Sequence, residues 1–275
     1  MSTCSTPGIP DLYGLGIRLA FYSQSLSTLL VTLFRQEEEA LYRVVNLIFQ
    51  LALLICLVFL TVSNAIHAAE VLVALWLLVG ALSSLTGDGI VFLGTAAGTA
   101  RVGVYVVVCG YATWFWFAGV EGVVAAPEGC EVVAWFGRAE VEGPLRGFGK
   151  VVAVGGLGAC VGMLGWSGKV VVERRRGYVK VGERTEEKKG KGKQRARTDV
   201  LLLAFSVAVL VLSVWSVEYI IRENHLVGVD DIFQVGQVIP LLVGAIGLAM
   251  TLFSVVYERR ILEPRCWVLL GRHLS

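Results

Sequence analysis

"VVNLIFQLALLICLVFLTVS", residues 44–63, runs twenty residues without a charge. At 1.5 Å per residue a helix of that length is about 30 Å long, the thickness of the hydrocarbon core of a bilayer. The rest of the chain has the same character. Of its 275 residues 56% are hydrophobic and only 17% charged, with a mean hydropathy of +0.71. Soluble domains carry about 25% charged residues. A globule of this size has too little interior to hide such an apolar excess, because its surface must still be covered. The composition therefore points to a polytopic membrane protein whose first partner is the lipid bilayer.

Working outward from residues 44–63, seven apolar stretches emerge: 17–34, 44–63, 68–85, 101–123, 149–168, 200–221 and 233–257. The predicted fold is an all-α bundle of seven transmembrane helices. Residues 90–100, "IVFLGTAAGTA", are apolar but too few to span, and read as an extension or re-entrant piece. Residues 1–10 have no basic run, so the first hydrophobic segment is expected to stay as an anchor. This divides the chain into an extracellular arm (1–16), helices one to five (17–168), a cytoplasmic loop (169–199), helices six and seven (200–257) and a cytoplasmic tail (258–275).

Orientation follows from lysine and arginine in the connections. With seven spans and the N-terminus outside, nineteen of them fall on the inner side and four on the outer. Twelve lie in "KVVVERRRGYVKVGERTEEKKGKGKQRARTD", residues 169–199. That loop is glycine-spaced and highly charged, so it is expected to be disordered. It reads as a topogenic loop and, compatibly, as a contact for anionic inner-leaflet lipids through Arg174, Arg175, Arg176, Lys188 and Lys189. The net charge is only +2, which gives no signal for nucleic acid.

Small residues mark places where helices can approach closely. Gly158 and Gly162 form a GxxxG pair, and Gly236, Pro240 and Gly244 share one face of the last span. Pro240 predicts a kink. "WFWF", residues 114–117, together with Trp215 and Tyr219, fits an outer aromatic belt, with a ligand cage as the alternative.

"PDLYGLGIRLAFYSQ" (10–24), "WFWFAGVEG" (114–122), "PEGC" (127–130) and "VGQVIPLLVG" (235–244), in that order, resemble a family of multi-pass membrane proteins of filamentous fungi. The chain departs from it at 131–147, which is rich in glycine and glutamate where more aromatics are expected. The resemblance implies the topology and a fungal source, and the membrane is expected to be the plasma membrane. It implies no activity and transfers no catalytic residue.

The same stretch raises the question of Arg18, a charge in an apolar helix. Charges at membrane depth are paired or face water. By the topology above, Glu70, Glu121 and Glu218 lie at the same level, with Arg222 four residues beyond Glu218 in position for a helical ion pair. These two cations and three carboxylates make a candidate outer vestibule. Tyr22, Gln24, Ser25 and Thr28 extend a polar track inward, and Gln237 faces it from the last span. Three readings stand: Arg18 snorkels to the headgroups, fixes helix packing through a salt bridge, or lines a ligand or ion site.

Of six cysteines, Cys4 and Cys130 fall outside the spans on the oxidising side and form a candidate disulfide, with two free thiols as the alternative. Cys56, Cys109 and Cys160 read as packing residues, and Cys266 is a weak acylation candidate. The three histidines, His67, His225 and His273, do not make a zinc site, and no HExxH, GxSxG or Walker pattern occurs. No cofactor, metal or catalytic residue is called. The functional expectation is a non-enzymatic sensor or scaffold. A small-solute or ion transporter is the alternative, with Gln24, Asn46 and Gln50 as a narrow polar path, and a membrane-embedded enzyme is a more remote one.

Overall fold

The computed structural model describes residues 5–34, 39–81, 96–120, 123, 132–135, 139–141, 143–175 and 192–272. The chain opens with β1 (Thr6–Pro7), the single turn α1 (Pro10–Tyr13) and α2 (Leu15–Phe34). Then come α3 (Glu39–Val62), α4 (Ala68–Gly80) and α5 (Ala96–Trp114), which continues into a π-helical turn, Phe115–Gly119. A two-stranded ribbon, β2 (Val133–Trp135) and β3 (Ala139–Glu140), leads to α6 (Pro144–Arg175) and α7 (Gly192–Glu223). After β4 (Leu226–Val227) the chain closes with α8 (Val235–Arg272).

Six helical segments are long and apolar enough to cross a membrane: Pro10–Phe34, Leu41–Val62, Gly98–Gly119, Pro144–Glu173, Leu203–Glu223 and Gly236–Tyr257. The expected third span, 68–85, is different. Its helix α4 has 13 residues and ends at Gly80. At about 20 Å it falls short of the ~30 Å core. Almost every residue of α4 is buried, so it is a central helix of the bundle, shorter than the six long segments around it. Residues 82–95 lie outside the described residues. Within the 90–100 piece, residues 96–100 are the first turns of α5 and not a separate element.

The helices outrun the expected spans. α6 continues to Arg175 and α7 begins at Gly192, so segment 169–199 is helical at both ends. Helices that leave a bilayer continue as long as their backbone bonds are satisfied within the helix, whatever the surface composition. From residue 5 onward the expected N-terminal arm is also structured. β1 pairs in parallel with β4, Thr6 opposite Leu226 and Pro7 opposite Val227, and the Leu15 amide donates to the Val229 carbonyl at 2.8 Å.

Three pairings dominate the packing: α2 with α8, α5 with α6, and α4 with α7. The α2–α8 seam is tight because of glycine. A Cβ on Gly244 would stand 2.7 Å from Ala20 Cα, and one on Gly16 2.6 Å from the Gln237 carbonyl oxygen. The face expected from Gly236 and Gly244 is thus the one in use. Gly158 and Gly162 look onto open space instead.

The distribution of polarity is inside out for a soluble protein. Arg18, Gln24, Ser27, Thr28, Asn46, Gln50, Glu70 and Gln237 are buried, while Ile48, Ile55, Phe59, Val151, Ile239, Met250 and Phe253 are exposed. Polar groups gathered in the interior and an apolar exterior are what a lipid-facing bundle requires. Arg43 and Arg101, counted above among the inner-loop cations, are buried on α3 and α5. Arg101 donates to the Ala81 carbonyl at 3.3 Å and lies over the Tyr105 ring.

Candidate functional site

One end of the bundle gathers the start of α2, the end of α7 and the start of α8. The short connection between α7 and α8 presses on the N-terminal arm. Gly8 donates to the Val227 carbonyl at 2.9 Å and the Tyr13 hydroxyl accepts from the Ile9 amide at 3.3 Å. This clasp fixes α2 in depth and rotation, and its fourth residue, Arg18, faces the bundle.

Arg18 is 1% exposed, so it does not snorkel. Its guanidinium forks. Nη1 donates to Glu218 Oε2, and Nη2 donates to Asp230 Oδ1 at 2.7 Å. Glu218 Oε1 accepts the Tyr22 hydroxyl at 3.0 Å. Glu218 therefore spends its two oxygens on α2 and not on the expected partner Arg222. Two carboxylates on one guanidinium leave an excess negative charge, and both side chains are exposed. The Glu218 side chain is 46% exposed and that of Asp230 77%. Charge-assisted bonds of this kind are stronger than neutral ones.

Glu70 belongs to a separate, drier cluster. It is fully buried and accepts the Tyr13 hydroxyl at 2.8 Å on Oε1. Its Oε2 accepts the His67 amide at 2.8 Å, with His67 Nδ1 at 3.2 Å. The carboxylate thus caps α4 by reaching back to the residue before the helix, as a glutamate at the third helical position does. It ties α4 to the N-terminal arm and does not pair with Arg18.

Gln237 sits where the sequence places it. Its Oε1 accepts the Gly16 amide at 3.0 Å, one of the donors a helix start leaves open. Its Nε2 and the Arg18 Nε are buried donors with no hydrogen-bond partner among the described residues. Gln24, two residues beyond Tyr22, is buried and its amide donates to the Tyr42 carbonyl at 3.4 Å. Gln50 donates to the Tyr105 hydroxyl at 2.9 Å and Asn46 to the Ala81 carbonyl at 3.4 Å. These amides lock neighbouring helices together. Glu121, Cys4 and Cys130 lie outside the described residues, as do Arg176, Lys188 and Lys189. Arg174 and Arg175 fall in the last turn of α6.

No family model, curated protein or solved structure matches the chain.

Between α2 and α7 the same junction opens into a groove of about 730 Å³. Tyr22 and Leu26 form one wall, and Leu210, Val214, Glu218 and Arg222 follow one another along the other. Trp215 and Tyr219, expected in an aromatic belt, line this groove too. The "WFWF" stretch is more than a belt. Phe115 is buried, and the carbonyls of Trp116 and Phe117 accept from Arg146 at 3.3 and 3.2 Å. A π-helical turn displaces carbonyls from the regular ladder, and Arg146 on α6 satisfies two of them.

Sequence reasoning missed Asp230 and Asn224. Both lie in a polar connection with no periodicity to mark them. Asn224 bonds both the amide and the carbonyl of Val133, at 2.9 and 2.7 Å, and so anchors the β2–β3 ribbon to the end of α7. Among the described residues no group of three or more His, Cys, Asp or Glu side chains is placed to hold a metal ion.

Proposed function

We propose that this integral membrane protein is a non-enzymatic sensor or scaffold of the fungal plasma membrane. The Arg18 junction forms its outer vestibule, and the basic segment 169–199 faces the cytoplasm. The inner side keeps its large excess of lysine and arginine when Arg43 and Arg101 are taken out of the count.

The observation that carries the reading is the asymmetry of the junction. Arg18 is sealed inside while its two counterions are open to the outside. A cationic group arriving from outside competes for Glu218 or Asp230, and the buried guanidinium must then move or repartner. Glu218 lies on α7, which begins within the basic segment at its other end. A change in how α2 holds α7 is therefore carried along one continuous helix. Such coupling needs a two-state element that both ends bias.

Hydrogen exchange of the reconstituted protein tests this. Arg18→Gln is expected to speed exchange at the arm and the 224–235 connection, and also at 192–200, the inner start of α7. A change confined to the outer end removes the coupling and with it the sensor reading. Solute uptake into vesicles that is abolished by Gln24→Leu replaces it with a transporter.

A further inference from the structure

We infer that the groove between α2 and α7 is a binding site for an aminophospholipid, one whose headgroup carries a primary ammonium. Three observations lead there. First, the groove has a leaflet's depth. Leu210, Val214, Glu218 and Arg222 repeat every four residues along α7, a length of about 18 Å. One leaflet of a ~30 Å core is about 15 Å. Leu210 lies toward the middle of the Leu203–Glu223 span and Arg222 at its end. Second, the inner part is apolar and open to the side, as a hydrocarbon chain requires. Leu26 and Trp215 expose their side chains along it, and about 730 Å³ falls in the range of formed ligand sites.

Third, the charges at the outer end are those of a zwitterion's complement. Glu218 lines the groove, and it shares the Arg18 guanidinium with Asp230, which stands outside the lining on the other prong. Two carboxylates on one guanidinium leave an excess negative charge, and both side chains are exposed. Arg222 supplies a cation on the same groove. A lipid ammonium docks on the carboxylates and its phosphate on Arg222. A primary ammonium donates three hydrogen bonds to those carboxylates, whereas a quaternary one donates none. An anionic lipid without an amine meets the carboxylates as like charge.

The inference deepens the sensor reading and rests on it for its meaning. Its test reads bound lipid, while the sensor reading is tested by exchange in α7, so either can fail alone. The full chain is reconstituted into vesicles of equal parts dioleoyl phosphatidylethanolamine, phosphatidylcholine and phosphatidylglycerol, re-extracted, and its retained lipid measured by mass spectrometry. Phosphatidylethanolamine is expected to exceed phosphatidylcholine by about tenfold, the factor one good charged hydrogen bond supplies. Asp230→Asn is expected to reduce that preference, and Arg222→Gln to reduce retention of both. Val214→Trp fills the groove and is expected to abolish retention. Val211→Trp, at an exposed position on the same wall, does so without disturbing packing. Equal retention of the two zwitterionic lipids, a preference for phosphatidylglycerol, or retention unchanged in both tryptophan variants overturns the inference.

Discussion

Arg18 on α2 and Glu218 on α7 stand 200 residues apart in sequence and form one ion pair, with Asp230 on the other prong of the guanidinium. A buried cation with two acceptors tolerates the loss of one far better than the loss of both. Asp230 is mostly exposed, so Asp230→Asn alone is expected to cost under about 1 kcal/mol. Combining it with Glu218→Gln strips Arg18 of both carboxylates that hold it among the described residues, and the loss is expected to reach about 3–5 kcal/mol, more than the two single losses together. Thermal unfolding of the four proteins in one detergent checks this. Additive losses contradict a shared guanidinium.

The buried Glu70 cluster makes a second stability claim. Tyr13→Phe removes a hydrogen bond to a fully buried carboxylate and is expected to cost about 1.5–3 kcal/mol. The arm should loosen with it, since Tyr13 also holds Ile9. Faster proteolysis before residue 15 in Tyr13→Phe than in the parent protein is the readout.

Two glycines that look alike in sequence are expected to behave differently. Gly244→Val pushes side-chain carbon into the Ala20 backbone, and overpacking of this kind costs about 1–3 kcal/mol. Gly162→Val meets nothing within 4 Å and is expected to change stability by no more than about 0.5 kcal/mol. Equal effects in a melting experiment contradict the α2–α8 seam.

The α5–α6 pairing has a chemical probe. Cys109 Sγ and Cys160 Sγ lie 3.9 Å apart across it. Mild oxidation by copper phenanthroline is expected to join them, so that cleavage between α5 and α6 leaves the fragments linked until reductant is added. Cys160→Ser abolishes the link. Absence of any link in the parent protein contradicts the register of the two helices.

Local composition was enough to read the six long helices, because span length and apolarity are properties of the stretch itself. The α4 segment shows where that stops. Its residues 68–80 are as apolar as a span, but where the helix ends and the neighbours that bury it on all sides are not properties of the stretch itself. Arg18 is a similar case. Snorkelling and pairing differ by the direction of one side chain, and that direction is set by the clasp of residues 5–14 on the α7–α8 connection. Glu218 and Gln237 were legible as polar residues on apolar helices. Asp230 was not, because a carboxylate in a polar connection is unremarkable until folding places it on a buried guanidinium. Arg43 and Arg101 misled in the other direction: at helix ends they read as topogenic cations, and the bundle buries them.

An outer vestibule and an inner basic segment must lie on opposite faces of the membrane. The direct test is a cysteine-free chain with one new thiol, either Asp231→Cys beside the vestibule or Lys193→Cys at the start of α7. Intact cells are treated with a membrane-impermeant maleimide. Asp231→Cys is expected to react at once and Lys193→Cys only after permeabilisation. Reaction of both thiols from one face, or of Lys193→Cys alone, contradicts the arrangement on which the sensor reading stands.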